Sequence, residues 1–264
     1  MGFRSVIKSI GSSFSLYSRI PMPKSVWEGE KPPFTLGFFP WVGAVIGAAE
    51  YAIFRFLPVP GAAKMFLLFV LPLIITGGIH LDGFMDTADA FHSYGDKEKK
   101  LQILSDPHIG AFAVIRVLIL SGLYLAGLAV LLAAPKDVEF QMEMGLCFAL
   151  TFPLGRCASG LAVTLIAPAK KEGMAASIKK DSRVKGNTVL LLIQGIACIV
   201  AGVIVSPLIM TAGALMLAFI TAFFLVERVK PLEGITGDLA GWYLCTSECG
   251  MLLAMAGTYL ALAG

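Results

Sequence analysis

The chain has 264 residues, 57% of them hydrophobic and 15% charged, with a formal net charge of +3. Soluble domains carry roughly 25% charged residues, so the composition excludes an ordinary water-soluble globule. The small net charge, with no basic stripe interleaved with aromatics, excludes a nucleic-acid binder.

The chain opens on MGFRSVIKSIGSSF, which has basic residues but no apolar core leading to a small-residue cleavage site. It reads as mature protein rather than a removed leader. Residues 1–35 are amphipathic and punctuated by proline, and are expected to lie along the membrane surface. Apolar stretches then follow near 36–57, 64–81, 111–134, 144–167, 188–206, 208–226 and 239–262, each about 20 residues, the length that crosses a bilayer. The fold class is therefore all-α: a polytopic membrane bundle of about seven transmembrane helices, forming one catalytic domain over residues 1–264. Ser206–Pro207 joins two of the spans as a tight helical hairpin, with proline where a helix must end in any case. No internal repeat is visible. Cys147, Cys157, Cys198, Cys245 and Cys249 all fall in apolar stretches without a CxxC pair, and read as free buried thiols.

Lysine and arginine set the expected orientation. Of the 21, sixteen lie in the N-terminal segment and in the loops after the second, fourth and sixth spans, and only Lys64 and Lys136 lie on the other side. Arg55, Arg116 and Arg156 fall inside spans. This places the N-terminus in the cytoplasm, the C-terminus outside, and the protein in the cell (inner) membrane with its chemistry facing the cytoplasm.

That chemistry is concentrated at the end of the second span, in GGIHLDGFMDTADAFHSYGD. Asp82, Asp86 and Asp89 stand at i, i+4 and i+7, one face of a helix. Three carboxylates on one face repel each other, and a hard divalent cation relieves the repulsion. An all-oxygen set suits Mg²⁺, which binds a few carboxylates together with substrate phosphates. A solvated acidic helix end is the plainer alternative. His80 and His92 flank the cluster, and His80 is the better candidate for a base.

Downstream, Asp106 and His108 form a turn before the third span, with Arg116 inside that span. Arg116 and Arg156 either hold a phosphate, whose oxygens the guanidinium fork matches, or pair with an intramembrane carboxylate such as Glu50 or Glu248. The loop KKEGMAASIKKDSRVKGN offers Lys170, Lys171 and Arg183 to an anionic substrate. Asp238 either caps the last helix or completes a metal shell, and Glu248 lies mid-span.

The pieces GGIHLDGFMDTADAF, LSDPHIGAFAV, FPLGRCASGL and GITGDLAGWYLCTSE, preceded by RIPMP and FFPWVGAVIG, resemble the cobalamin synthase family over nearly the whole chain. The turn departs from it, reading SDPHIG where relatives often read more like DSRIG. The resemblance implies an adenosylcobinamide-GDP ribazoletransferase: adenosylcobinamide-GDP and α-ribazole (or its 5′-phosphate) give adenosylcobalamin (or its 5′-phosphate) and GMP, with Mg²⁺. On that reading Asp82, Asp86 and Asp89 hold the metal, and His80 or one of the aspartates takes the proton. Asp106, His108, Arg116, Arg156, Lys171, Arg183, Asp238 and Glu248 contact substrate or its phosphates. Homo-oligomerisation stays open. Two other readings compete: a lipid enzyme of the CDP-alcohol phosphotransferase type, and a secondary cation transporter. The first lacks its longer aspartate spacing here, and the second lacks paired repeats with broken helices.

Overall fold

The computed structural model describes residues 3–23, 26, 32–133, 138–170 and 183–263. Among these the chain is helical, and its nearest approach to a strand is a single bridge between Pro168 and Ile235. The helices are α1 (Phe3–Tyr17), α2 (Phe39–Phe56), α3 (Gly61–Thr76), α4 (Ile79–His92), α5 (Lys97–Ile103), α6 (Ala111–Ala133), α7 (Val138–Leu165), α8 (Val184–Val205), α9 (Pro207–Phe224) and α10 (Gly237–Ala263). A 3-10 turn at Leu36–Phe38 leads into α2, and α9 runs on through a π-helical turn at Leu225–Val229 and a last turn at Lys230–Leu232.

Six of these stretches are long and apolar enough to cross a membrane: Leu36–Phe56, Ala111–Ala133, Gln141–Leu165, Val184–Val205, Pro207–Leu232 and Gly237–Leu262. The bent pair α3–α4 makes seven if it is counted as one span. The remaining surface agrees. Leu118 on α6 is 66% exposed and Ile196 on α8 is 60% exposed, in helices with little polar side chain to offer water. Such apolar faces would be a liability in solution, but helices that satisfy their own backbone groups can show them to lipid.

The structure corrects the second expected span. A continuous helix over 64–81 does not form. α3 stops at Thr76, Gly77 and Gly78 both adopt left-handed backbone (φ 65° and 77°), and α4 departs at 93° to α3. Only glycine enters that region without steric cost, so two in succession allow a sharp break. The aspartates are therefore on a separate helix that follows the break.

α10 is the central element, packing against α4, α6, α7 and α9, while α2 packs along α7. α1 lays Ser9, Ser12, Ser13, Phe14 and Tyr17 against α2 and its entry turn. Two ties fix the cytoplasm-expected end. Ala169 N–H donates to Ile235 O and Ile235 N–H to Ala167 O, both at 2.9 Å, joining the end of α7 to the α9–α10 turn. Lys97 Nζ donates to Glu233 Oε2 at 2.6 Å, which holds the Glu233 carboxyl below the usual carboxylate range.

Candidate functional site

α4 is the scaffold of the site. Successive helical residues are rotated by about 100°, so Asp82, Asp86 and Asp89 share one side while His80 points to nearly the opposite one. α4 meets α10 at Gly83, where a Cβ would come within 2.8 Å of the Asp238 main chain. This close approach delivers Asp238 to the aspartate side of α4. The Asp86 carboxyl, half-buried, feels the charges of Asp82, Asp238 and Asp89. Of the two readings left open for Asp238, capping belongs to a neighbour: Thr236 Oγ1 accepts from Leu239 N–H at 3.1 Å. The Asp238 carboxyl is itself held there by hydrogen bonds from its own N–H and from Thr236, within electrostatic reach of Lys170 and Asp82.

Asp82 is exposed and lines a cleft of about 590 Å³ between the end of α1 and the α3–α4 break, with Arg19 and Gly78 on its walls. This is the size range of small-molecule sites. Asp89 is already engaged. Its Oδ2 accepts from Gly110 N–H at 2.7 Å and its Oδ1 from Ala113 N–H at 2.9 Å, so it caps α6 from a neighbouring helix. Among the described residues no three His, Cys, Asp or Glu side chains are gathered as a metal shell. The donor chemistry nevertheless fits Mg²⁺: Asp82, Asp86 and Asp238 are all hard oxygen ligands and lie within mutual electrostatic influence.

The other expected residues distribute elsewhere. His80 is enclosed by the rings of Tyr17 and Phe39, at centroid distances of 6.3 and 5.5 Å, with its Nε2 buried and without a hydrogen-bond partner. It does not join the aspartates. His92 is held by its Nδ1, 2.7 Å from Ala88 O, and receives Arg116 Nε at 3.0 Å on Nε2. Arg116 is thus a clamp between α4 and α6. Asp106 and His108 pair with each other in an exposed turn: the Asp106 Oδ1 accepts His108 N–H at 3.0 Å and lies 2.6 Å from Nδ1. Those hydrogen bonds hold the Asp106 carboxyl below its ordinary range.

Arg156 and Glu248 form a buried ion pair across 2.6 Å, the pairing alternative rather than the phosphate one. The Arg156 side chain is 1% exposed, its Nη1 also reaches Phe152 O at 3.0 Å, and its guanidinium lies over Phe39. Glu50 is buried nearby, with neither carboxyl oxygen hydrogen-bonded. Arg183 is exposed at the start of α8, its N–H donating to Pro33 O. Lys171 lies outside the described residues. Arg19, on the wall of the cleft that Asp82 lines, was not among the residues expected at the site. Its only signal was membership of RIPMP, and nothing local to that motif points to the aspartates 63 residues away.

The model of the cobalamin-5-phosphate synthase family matches residues 9–256. An adenosylcobinamide-GDP ribazoletransferase of Lachnoclostridium phytofermentans is 34% identical over 260 residues, covering 95% of this chain and 94% of that one. One of Clostridium perfringens is 31% identical over 252 residues, covering 93% and 96%. One of Clostridium botulinum is 29% identical over 248 residues, covering 93% and 95%. No solved structure matches the chain.

Proposed function

The chain belongs to the cobalamin-5-phosphate synthase family, and from that premise we propose that it joins adenosylcobinamide phosphate, taken from adenosylcobinamide-GDP, to α-ribazole or its 5′-phosphate. It is a transferase. The observation that carries the detailed reaction is the aspartate side of α4, faced by Asp238 and open to a cleft large enough for a nucleotide diphosphate.

The chemistry follows from that arrangement. A ribose hydroxyl oxygen of α-ribazole, one that the 5′-phosphate also leaves free, forms a bond to the cobinamide-side phosphorus as the bond from that phosphorus to the bridging oxygen breaks, and GMP departs with that oxygen. Asp82, Asp86 and Asp238 would hold Mg²⁺, which when bound offsets charge on the diphosphate. Asp89 sets the angle between α4 and α6 through its two N–H contacts. The hydroxyl proton passes to an aspartate of the set, a choice supported by the enclosed position of His80 on the far side of α4. Such transfer depends on positioning and charge stabilisation, with no covalent nucleophile required.

The lysine and arginine distribution supports a cytoplasmic site with both substrates arriving from that side. A cytoplasmic reporter fused at the C-terminus should be inactive, and an active one would reverse this orientation. For the reaction, purified protein is mixed with adenosylcobinamide-GDP and α-ribazole, and GMP and adenosylcobalamin are measured. Equal amounts of the two products are expected, lost on chelation of Mg²⁺, with no GMP when α-ribazole is left out. A stoichiometric burst of GMP without the nucleoside would refute direct displacement. Release of CMP from a liponucleotide instead would favour a lipid enzyme.

A further inference from the structure

We propose that Arg19 grips the diphosphate of the nucleotide substrate in the cleft it shares with Asp82, an assignment that rests on the ribazoletransferase reading above. Arg19 is placed there by two independent contacts. Its main-chain N–H donates to Ile75 O at 2.7 Å, which pins the chain leaving α1 to the last turn of α3. Its side chain then crosses Gly77, where a Cβ would lie 2.4 Å from Nε, so the glycine is the space the guanidine stem occupies. On the adjoining stretch of wall a Cβ at Gly78 would meet nothing within 4 Å, leaving main chain open to a ligand.

Charge supplies the need for such a group. A diphosphate brought beside Asp82 and Asp86 is repelled by them, and a cation on the carboxylates offsets only one side of it. A guanidinium in the same cleft presents two parallel N–H donors to the remaining phosphate oxygens. Of the other arginines suggested for this task, Arg116 is engaged with His92 and Arg156 with Glu248 inside the bundle, and Arg183, exposed at the start of α8, does not line this cleft. Arg19 is exposed and has no ion pair among the described residues, and it lines the same cleft as Asp82. With α-ribazole as acceptor, a nucleoside without phosphate, Arg19 has no group to hold on that substrate and serves the nucleotide substrate alone.

The test compares wild type with Arg19→Ala and Arg19→Lys, each reconstituted in lipid nanodiscs. Loss of a charge-assisted contact should raise KM for adenosylcobinamide-GDP about 10- to 100-fold, with KM for α-ribazole unchanged. Equilibrium dialysis of GMP should show weakening of similar size. Arg19→Lys keeps the charge but not the fork and should fall between. Equal changes in both KM values, or a loss confined to kcat with KM unaltered, would overturn the proposal. Wild type that releases no GMP would instead defeat the reaction assigned above. The dialysis then decides for Arg19, since GMP binding that Arg19→Ala leaves unchanged overturns the assignment.

Discussion

The two sides of α4 use the same residue types for opposite ends. On one side Asp82, Asp86 and Asp238 lie within one another's electrostatic influence, with like charges in excess and Asp82 open to a cleft. On the other, His80 turns toward the bundle in which Arg156 and Glu248 are locked together with under an eighth of either side chain exposed. Unrelieved charge near solvent is what a ligand can repair. A closed ion pair in a low-dielectric interior has no such vacancy, and opening it leaves a bare charge behind. The contrast separates carboxylates left open to a ligand from carboxylates that hold helices, although both are aspartate or glutamate in an apolar chain.

The largest effect expected from this division is on turnover. Asp82→Asn and Asp86→Asn should each lower kcat/KM by at least about 100-fold, while thermal unfolding in detergent stays close to wild type. If either variant turned over normally at limiting Mg²⁺, the open side of α4 would lose its assigned role.

The next effect runs the other way. Arg156→Met strands Glu248 in the interior and should lower stability by about 3–5 kcal/mol, seen as a lower unfolding temperature before any specific change in KM. Adding Glu248→Met removes the stranded charge and should restore part of the loss. An Arg156→Met protein that unfolds like wild type but fails to bind the nucleotide would move Arg156 to the open side.

The smallest effect sharpens the boundary between the two sides. Asp89 carries the spacing of the metal set, yet both its oxygens accept from the start of α6. Asp89→Ala should cost about 1–2 kcal/mol of stability, as losing a helix cap does, together with a loss of turnover well short of that at Asp82. Turnover falling as far as in Asp82→Asn, at unchanged stability, would return Asp89 to the direct metal ligands.

How far such roles were legible depended on how local their causes are. The all-helical membrane class was readable because it needs only runs of about 20 apolar residues. The i, i+4, i+7 spacing of the aspartates was readable because helical periodicity acts within three turns. The glycine pair Gly77–Gly78 was visible too, but not the 93° direction of its break, which is set by what α4 packs against. His80 precedes Asp82 by two residues, and nearness in sequence suggested partnership. In a helix that same spacing sends the side chains apart.

By itself, then, the sequence determined that this protein is a helical bundle in the membrane, with an acidic helix face whose motifs match one family along almost all of its length. Tertiary structure alone decided which charges meet. Arg156 reaches Glu248 across 92 residues of chain, Asp89 finds amides 21 and 24 residues on, and Arg19 joins Asp82 in one cleft. Each of these contacts depends on where whole helices cross. The crossings are fixed by packing summed over many side chains rather than by any pattern local to the residues that meet.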